Sequence, residues 1–217
     1  MEFGVMMAML SRGFIVTVEL FFLTLLGSLP LGVVIALGRM SKFKPLQLLM
    51  QFYISIMRGT PLMLQMFAIY FAPYYVFGIN LTPDSKWTAT VIAFILNYAA
   101  YFAEIYRGGI QSIPRGQYEA ADVLGYSSSQ TFMRIVLPQV IKRILPAMAN
   151  EVITLVKDTS LAFAIGVAEM FSTAKALAAR EGSMIPFLLA GAFYWVFNMV
   201  VEVIMARFEK RLDYYHD

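Results

Sequence analysis

Five polar side chains lie within 12 residues of one another in the apolar text NEVITLVKDTSL at 150–161: Asn150, Glu151, Thr154, Lys157 and Asp158 carry the chemistry there. Glu151 and Asp158 are seven apart, two helical turns, so they share a face of any helix, with Thr154 between them and Asn150 beside them. A charge at a bilayer centre costs at least about 2.5–3.5 kcal/mol on insertion scales, so such residues meet a partner or a wet cavity. An acidic, amide-bearing face, to which Asn97 from another apolar run could add, suits a ligand with an ammonium group. The competing reading is an ion pair of Glu151 with Lys157 or Arg58 that ties helices together, with Asp158 capping a break beside Thr159. Arg58-Gly59-Thr60-Pro61 interrupts a second apolar run, and Pro61 removes a backbone donor and clashes with the preceding turn, which predicts a kink. That kink reads as a gate or hinge against the helix of Lys157 and Asp158, or as a tolerated proline with Arg58 snorkelling to the surface.

These residues need elements that sit in lipid. Of the 217 residues 59% are hydrophobic and only 14% charged, against about 25% charged in ordinary soluble domains. Uncharged stretches of 19, 25, 17 and 20 residues separate Glu19 from Arg39, Arg58 from Asp84, Lys86 from Glu104 and Glu181 from Glu202. A crossing helix needs roughly 20. A fifth stretch, 135–168, is apolar but punctured by charges. The expected architecture is all-α and integral to the membrane, one domain over 1–217, with helices near 12–38, 46–77, 87–107, 138–168 and 184–206. A β-barrel is excluded because runs such as LFFLTLLGSL at 20–29 do not alternate. Eleven basic residues fall in the 38–45 loop, the 107–143 segment and the C-terminal tail, and four on the opposite side. The positive-inside rule then places the N-terminus outside and the C-terminus in the cytoplasm, which needs an odd number of crossings. The absence of Cys and the single His216 give no metal site, and the net charge of +3 is no argument for nucleic acid.

The segment 114–138, PRGQYEAADVLGYSSSQTFMRIVLP, reads as a helix from Gln117 to Leu124, a turn at Gly125, and a second short helix capped by Ser127 to Ser129. Pro138 suits the first turn of the following span. Glu119, Ala120 and Ala121 are followed by three residues, Gly125, nine residues, then Ile135, Val136, Leu137 and Pro138. Every one of those spacings is similar to the signature of the permease subunits of ATP-binding cassette importers. MRGTPLMLQ at 57–65, AEIYRGGIQSIPRGQ at 103–117 and NEVITLVKDTSL resemble the polar amino acid branch of that family, and the likeness covers nearly the whole chain.

The resemblance implies the five-helix type I importer permease fold in a bacterial cytoplasmic membrane. It implies a transport subunit that is not an enzyme and has no cofactor of its own. ATP and Mg would be bound by a separate ATPase subunit, because no GxxxxGK[ST] loop is present. Glu119, Ala120, Ala121 and Gly125 would form the coupling helix that docks on that subunit. An extracytoplasmic binding protein would deliver the substrate, and a second permease chain, identical or not, would complete the pathway. The substrate would be a polar amino acid, cationic rather than anionic, held by Asn97, Asn150, Glu151 and Thr154. Two other classes fit the sequence less well. An intramembrane enzyme using Glu151 and Asp158 as paired carboxylates lacks any further catalytic set, and a secondary transporter would show internal repeats.

Overall fold

A computed structural model describes residues 2–212, so His216 lies outside the described residues. Nine α-helices follow in order among the described residues: α1 Phe3–Arg39, α2 Lys44–Gly59, α3 Leu62–Phe77, α4 Pro83–Gln111, α5 Arg115–Val123, α6 Ser128–Thr131, α7 Leu137–Asp158, α8 Met170–Glu181 and α9 Ile185–Leu212. A π-helical turn over Phe132–Val136 joins α6 to α7, and a 3-10 turn over Thr159–Ile165 extends α7.

α4 is the organising element, packed along α1 and flanked by α2, α3 and α7. Small residues allow that closeness: Ala89, Ala93, Ala99, Ala100 and Ala103 are all buried on α4. On α1, a Cβ at Gly32 would lie 3.0 Å from the Cβ of Phe102 and 3.2 Å from the Ala99 carbonyl oxygen. Helix pairs in lipid gain by such contact because burial of apolar surface alone does not drive them together. Around this seam Leu20, Phe21, Met66, Phe94, Tyr98, Phe102 and Leu155 form the main core. Leu26, Val34, Leu188 and Trp195 project outward, as lipid-facing side chains do.

Three of the expected helices are longer than the charge gaps predicted. α1 starts at Phe3 rather than near 12, because nothing between Phe3 and Arg12 breaks a helix, and its 37 residues reach about 55 Å. α4 extends to Gln111, and α9 runs past 206 to Leu212.

The 46–77 reading is corrected. Instead of one kinked helix there are two helices of 16 residues, divided at Thr60 and Pro61. Pro61 has no N–H to offer the carbonyl of Met57, four residues earlier. Two amides replace it: Gln65 Nε2 donates to Met57 O at 2.9 Å, and Asn97 Nδ2 donates to the same oxygen at 3.0 Å. Gln65 also reaches Thr60 O at 3.1 Å and Thr60 Oγ1 at 2.9 Å.

The 138–168 reading is corrected too, at both ends. Helical backbone begins at Ser128 and passes through the π turn into α7, so Pro138 does not start a separate element. The far end tightens to a 3-10 turn, stops at Gly166 with φ +79°, and bends by 58° into α8. Among the described residues α1, α4 and α9 are each long and apolar enough to cross a membrane alone. The bent pair brings the number to four at most, so the expected count of five does not appear as five unbroken helices.

Candidate functional site

The polar groups near the middle of the fold come from three helices. α7 supplies Glu151 and Asp158, α4 supplies Asn97, Tyr98 and Tyr101, and α2 ends with Arg58. Tyr98 donates its hydroxyl proton to Asp158 Oδ2 at 2.7 Å, fixing α4 to the end of α7. The guanidinium carbon of Arg58 stands 5.2 Å from the centre of the Tyr101 ring, a cation–π distance. Tyr98 and Tyr101 themselves are 6.3 Å apart, centre to centre.

Glu151 is half-buried, and Arg58 and Asp158 are its electrostatic neighbours. No side chain or backbone group is hydrogen-bonded to it, and no ion pair within 4 Å includes it, among the described residues. The ion pair with Lys157 that the sequence allowed is therefore absent from this arrangement. Lys157 is exposed in the last turn of α7, and Ser160 Oγ, from the 3-10 turn that follows, donates to the Lys157 carbonyl at 2.7 Å.

Asn150 and Thr154 are exposed, and Thr154 Oγ1 donates to the Asn150 carbonyl at 2.9 Å. With Ala147 and Lys157 they form a stripe at helical spacing along α7 that no other described residue covers. Glu151 borders it. Asn97 is placed otherwise: it is 5% exposed and its amide donates to Met57 O and to Gln65 Oε1, both at 3.0 Å. The structure thus joins Asp158 to Tyr98 and Arg58 to Tyr101, two unanticipated tyrosines in contact with each other, and makes Asn97 the fastening of the Thr60–Pro61 break. Tyrosines in apolar runs look like packing residues, so only their contacts reveal Tyr98 and Tyr101.

Glu169 was also missed. It is fully buried and caps α8, accepting from the backbone N–H of Phe171 and Ser172 at 2.6 Å each and from the Tyr194 hydroxyl at 3.1 Å. The backbone N–H of Met170 donates to Thr17 Oγ1 at 3.2 Å and ties the same corner to α1. A Glu directly before an apolar helix was the available signal.

In the segment 114–138 α5 ends as the sequence predicts. Gly125 has φ +77°, and the N–H groups of Gly125 and Tyr126 close onto Asp122 O and Ala121 O. The Ser127 hydroxyl accepts from Gln130 N at 3.3 Å while Gln130 Oε1 accepts from Ser127 N at 2.9 Å, a reciprocal cap that starts α6. Ala121 is buried against the fold, whereas Glu119, Ala120 and Gly125 face out. Beside them Val123 is 88% exposed and Leu124 73% exposed. Both stand beside each other at the end of α5.

Residues 28–214 match the family described as "Binding-protein-dependent transport system inner membrane component". The L-cystine transport system permease protein TcyB of Bacillus subtilis (strain 168) is 38% identical over 208 residues, 95% of this chain and 87% of that protein. The arginine transport system permease protein ArtQ of the same organism is 36% identical over 93% of this chain and 91% of its own length. Among solved structures, the crystal structure of an amino acid ABC transporter with histidines superposes with a TM-score of 0.86 at 34% identity, covering 97% of this chain and 99% of the other.

Proposed function

The chain belongs to the binding-protein-dependent transport system inner membrane component family, as a permease subunit of an ABC importer for amino acids, and from that premise we propose that it passes a polar, cationic amino acid along the uncovered face of α7, with Glu151 receiving an ammonium group. As a member it is a membrane protein and a transport subunit that works with an ATPase subunit and a substrate-binding protein.

The observation that carries the proposal is the state of Glu151. A carboxylate in a low-dielectric site without a partner is costly, and this one has neither a hydrogen bond nor a close cation. Its position at the edge of an uncovered polar stripe supports a partner that arrives and leaves. Arg58, set over Tyr101, is the cation whose field reaches Glu151, and it is the residue we assign to compete for Glu151 once the ligand has left. Asn150 and Thr154 add polar contacts on the same face. Asn97 acts one step back, by holding the Thr60–Pro61 break that carries Arg58.

The rest of the cycle follows from the partners. Glu119, Ala120 and Gly125 meet the ATPase subunit, which supplies ATP and Mg, while Ala121 anchors the segment to the fold. Pro61 with Arg58 forms one hinge, and Lys157 with Asp158 the other. Five crossings arise if α2 and α3 together make one broken crossing, with the N-terminus outside and the C-terminus in the cytoplasm of a bacterial cell. A second, identical permease chain covers the α7 stripe across a two-fold axis. The relatives transport cystine and arginine by name, and arginine, with its second cationic group, is the first substrate to try.

The test is Glu151→Gln in the complete importer reconstituted with its binding protein. The substitution keeps the shape and removes the charge, and a direct charge-assisted contact is worth about 1.5–3 kcal/mol, so apparent affinity should fall roughly tenfold or more. Unchanged rate and apparent affinity would make Glu151 a structural residue.

A further inference from the structure

Where segment 114–138 meets the start of α7 the chain forms an open cleft of about 520 Å³. Its lining combines three cations, Arg134, Lys142 and Arg143, with the apolar Ile135, Pro138 and Pro146, and includes no carboxylate. None of the three cations has an ion pair within 4 Å among the described residues. Arg143 is held in place, its Nη1 donating to the Ser112 carbonyl at 2.6 Å and to Ser112 Oγ at 3.3 Å. Ion pairs with acidic side chains are what such a cluster ordinarily has. Here like charges gather around an empty volume, and an anion with several oxygens would satisfy them through charge-assisted hydrogen bonds.

We propose that this cavity binds a phosphate-bearing anion, and that its source is an anionic phospholipid of the leaflet facing the coupling segment. A free phosphate would use the cations only. A phospholipid uses the whole lining, its phosphodiester among Arg134, Lys142 and Arg143 and its glycerol and first acyl carbons against Ile135, Pro138 and Pro146. Basic pockets at the cytoplasmic side of transmembrane helices bind acidic head groups in this way. Because Gln117 of α5 also borders the cavity, the bound lipid braces the coupling segment against α7, and coupling becomes sensitive to membrane charge. The inference does not depend on the Glu151 assignment. It does rest on the cytoplasmic placement of 107–143, which a cysteine at Ser129 in this Cys-free chain reads separately, by labelling with a membrane-impermeant maleimide in inside-out vesicles only.

The experiment uses the importer with its ATPase subunit, in phosphatidylcholine nanodiscs with and without phosphatidylglycerol, and native mass spectrometry of the same complex. Lys142 is the position to change because it lies outside the docking segment 114–138. Retained phosphatidylglycerol and a rise in coupled ATP hydrolysis with this lipid are expected in the unaltered protein and in Lys142→Arg. In Lys142→Gln and Lys142→Glu lipid occupancy should fall about tenfold, with ATP hydrolysis no longer responding to phosphatidylglycerol. A parallel arm adds millimolar inorganic phosphate: a Lys142-dependent response to phosphate, with none to the lipid, would support the anion site and assign it to a soluble source. Equal lipid retention and equal phosphate response in all four proteins would overturn the proposal. So would loss of the ATPase subunit from Lys142→Glu with lipid retention unchanged, since the cavity would then be a surface for a protein carboxylate.

Discussion

Asn97 answers two acceptors on two other helices. Its amide replaces the donor that Pro61 removes from Met57 and also occupies Gln65 Oε1. Met57 O would keep Gln65 Nε2 without Asn97, but Gln65 Oε1 would be left with no donor, and a buried acceptor left unpaired costs about 1–3 kcal/mol. Asn97→Ala is therefore expected to lower stability by that amount, measured by thermal unfolding of the purified protein in detergent. If Asn97 instead only touched substrate, the unfolding midpoint would stay put while apparent affinity fell. Tyr98 holds Asp158 through one hydroxyl, so Tyr98→Phe should slow uptake by loosening the end of α7 while leaving binding-protein affinity as it was. Equal uptake rates for Tyr98→Phe and the unaltered importer would remove the Tyr98–Asp158 contact from the gate.

At the scale of elements, the end of α5 is decided by one backbone conformation. A Cβ at Gly125 would meet nothing within 4 Å, so a larger residue there would not clash; it would have to adopt φ +77°. That conformation costs an L residue roughly 1–2 kcal/mol, less for Asn than for a β-branched residue. Gly125→Val should then redirect the chain at the α5–α6 corner and uncouple ATP hydrolysis from uptake, with Gly125→Asn milder, as read by the ratio of transport to hydrolysis in vesicles. An unchanged ratio in Gly125→Val would contradict the assignment of 114–138 to coupling.

This corner was legible in the sequence because its signals are local: Glu119, Ala120, Ala121, Gly125 and the Ser127 cap stand within nine residues. The charge gaps located α1, α4 and α9 for the same reason, since absence of charge is a property of a continuous stretch. What stayed hidden was long-range. Pro61 announced an irregularity, but whether the helix would bend or separate depended on Gln65 and on Asn97, the latter 40 residues from the carbonyl it satisfies. Likewise Asp158 was visible as a charge, while its partner Tyr98, 60 residues earlier, read as packing. The sequence spacing placed Glu151 on a polar face but left its pairing with Arg58 or Lys157 open, because side-chain reach across helices has no periodic signature.

For the whole molecule the governing fact is the uncovered stripe of α7 from Ala147 to Lys157. Lipid cannot satisfy Asn150, Thr154 and the Glu151 edge, and a two-fold copy of the same face can enclose them around water, closed symmetric pairs being the commonest assembly. Native mass spectrometry of the active importer should find two permease chains with two ATPase subunits. An active assembly with a single permease chain would contradict this arrangement.

The path of the substrate is most directly tested by a cryo-electron microscopy structure of the complete importer with arginine bound. The account predicts an ammonium or guanidinium nitrogen at charge-assisted hydrogen-bond distance from a Glu151 carboxylate oxygen, about 2.7–2.9 Å, with Asn150 and Thr154 bordering the same ligand. Arginine density elsewhere in the pathway, with Glu151 closed on Arg58, would contradict it.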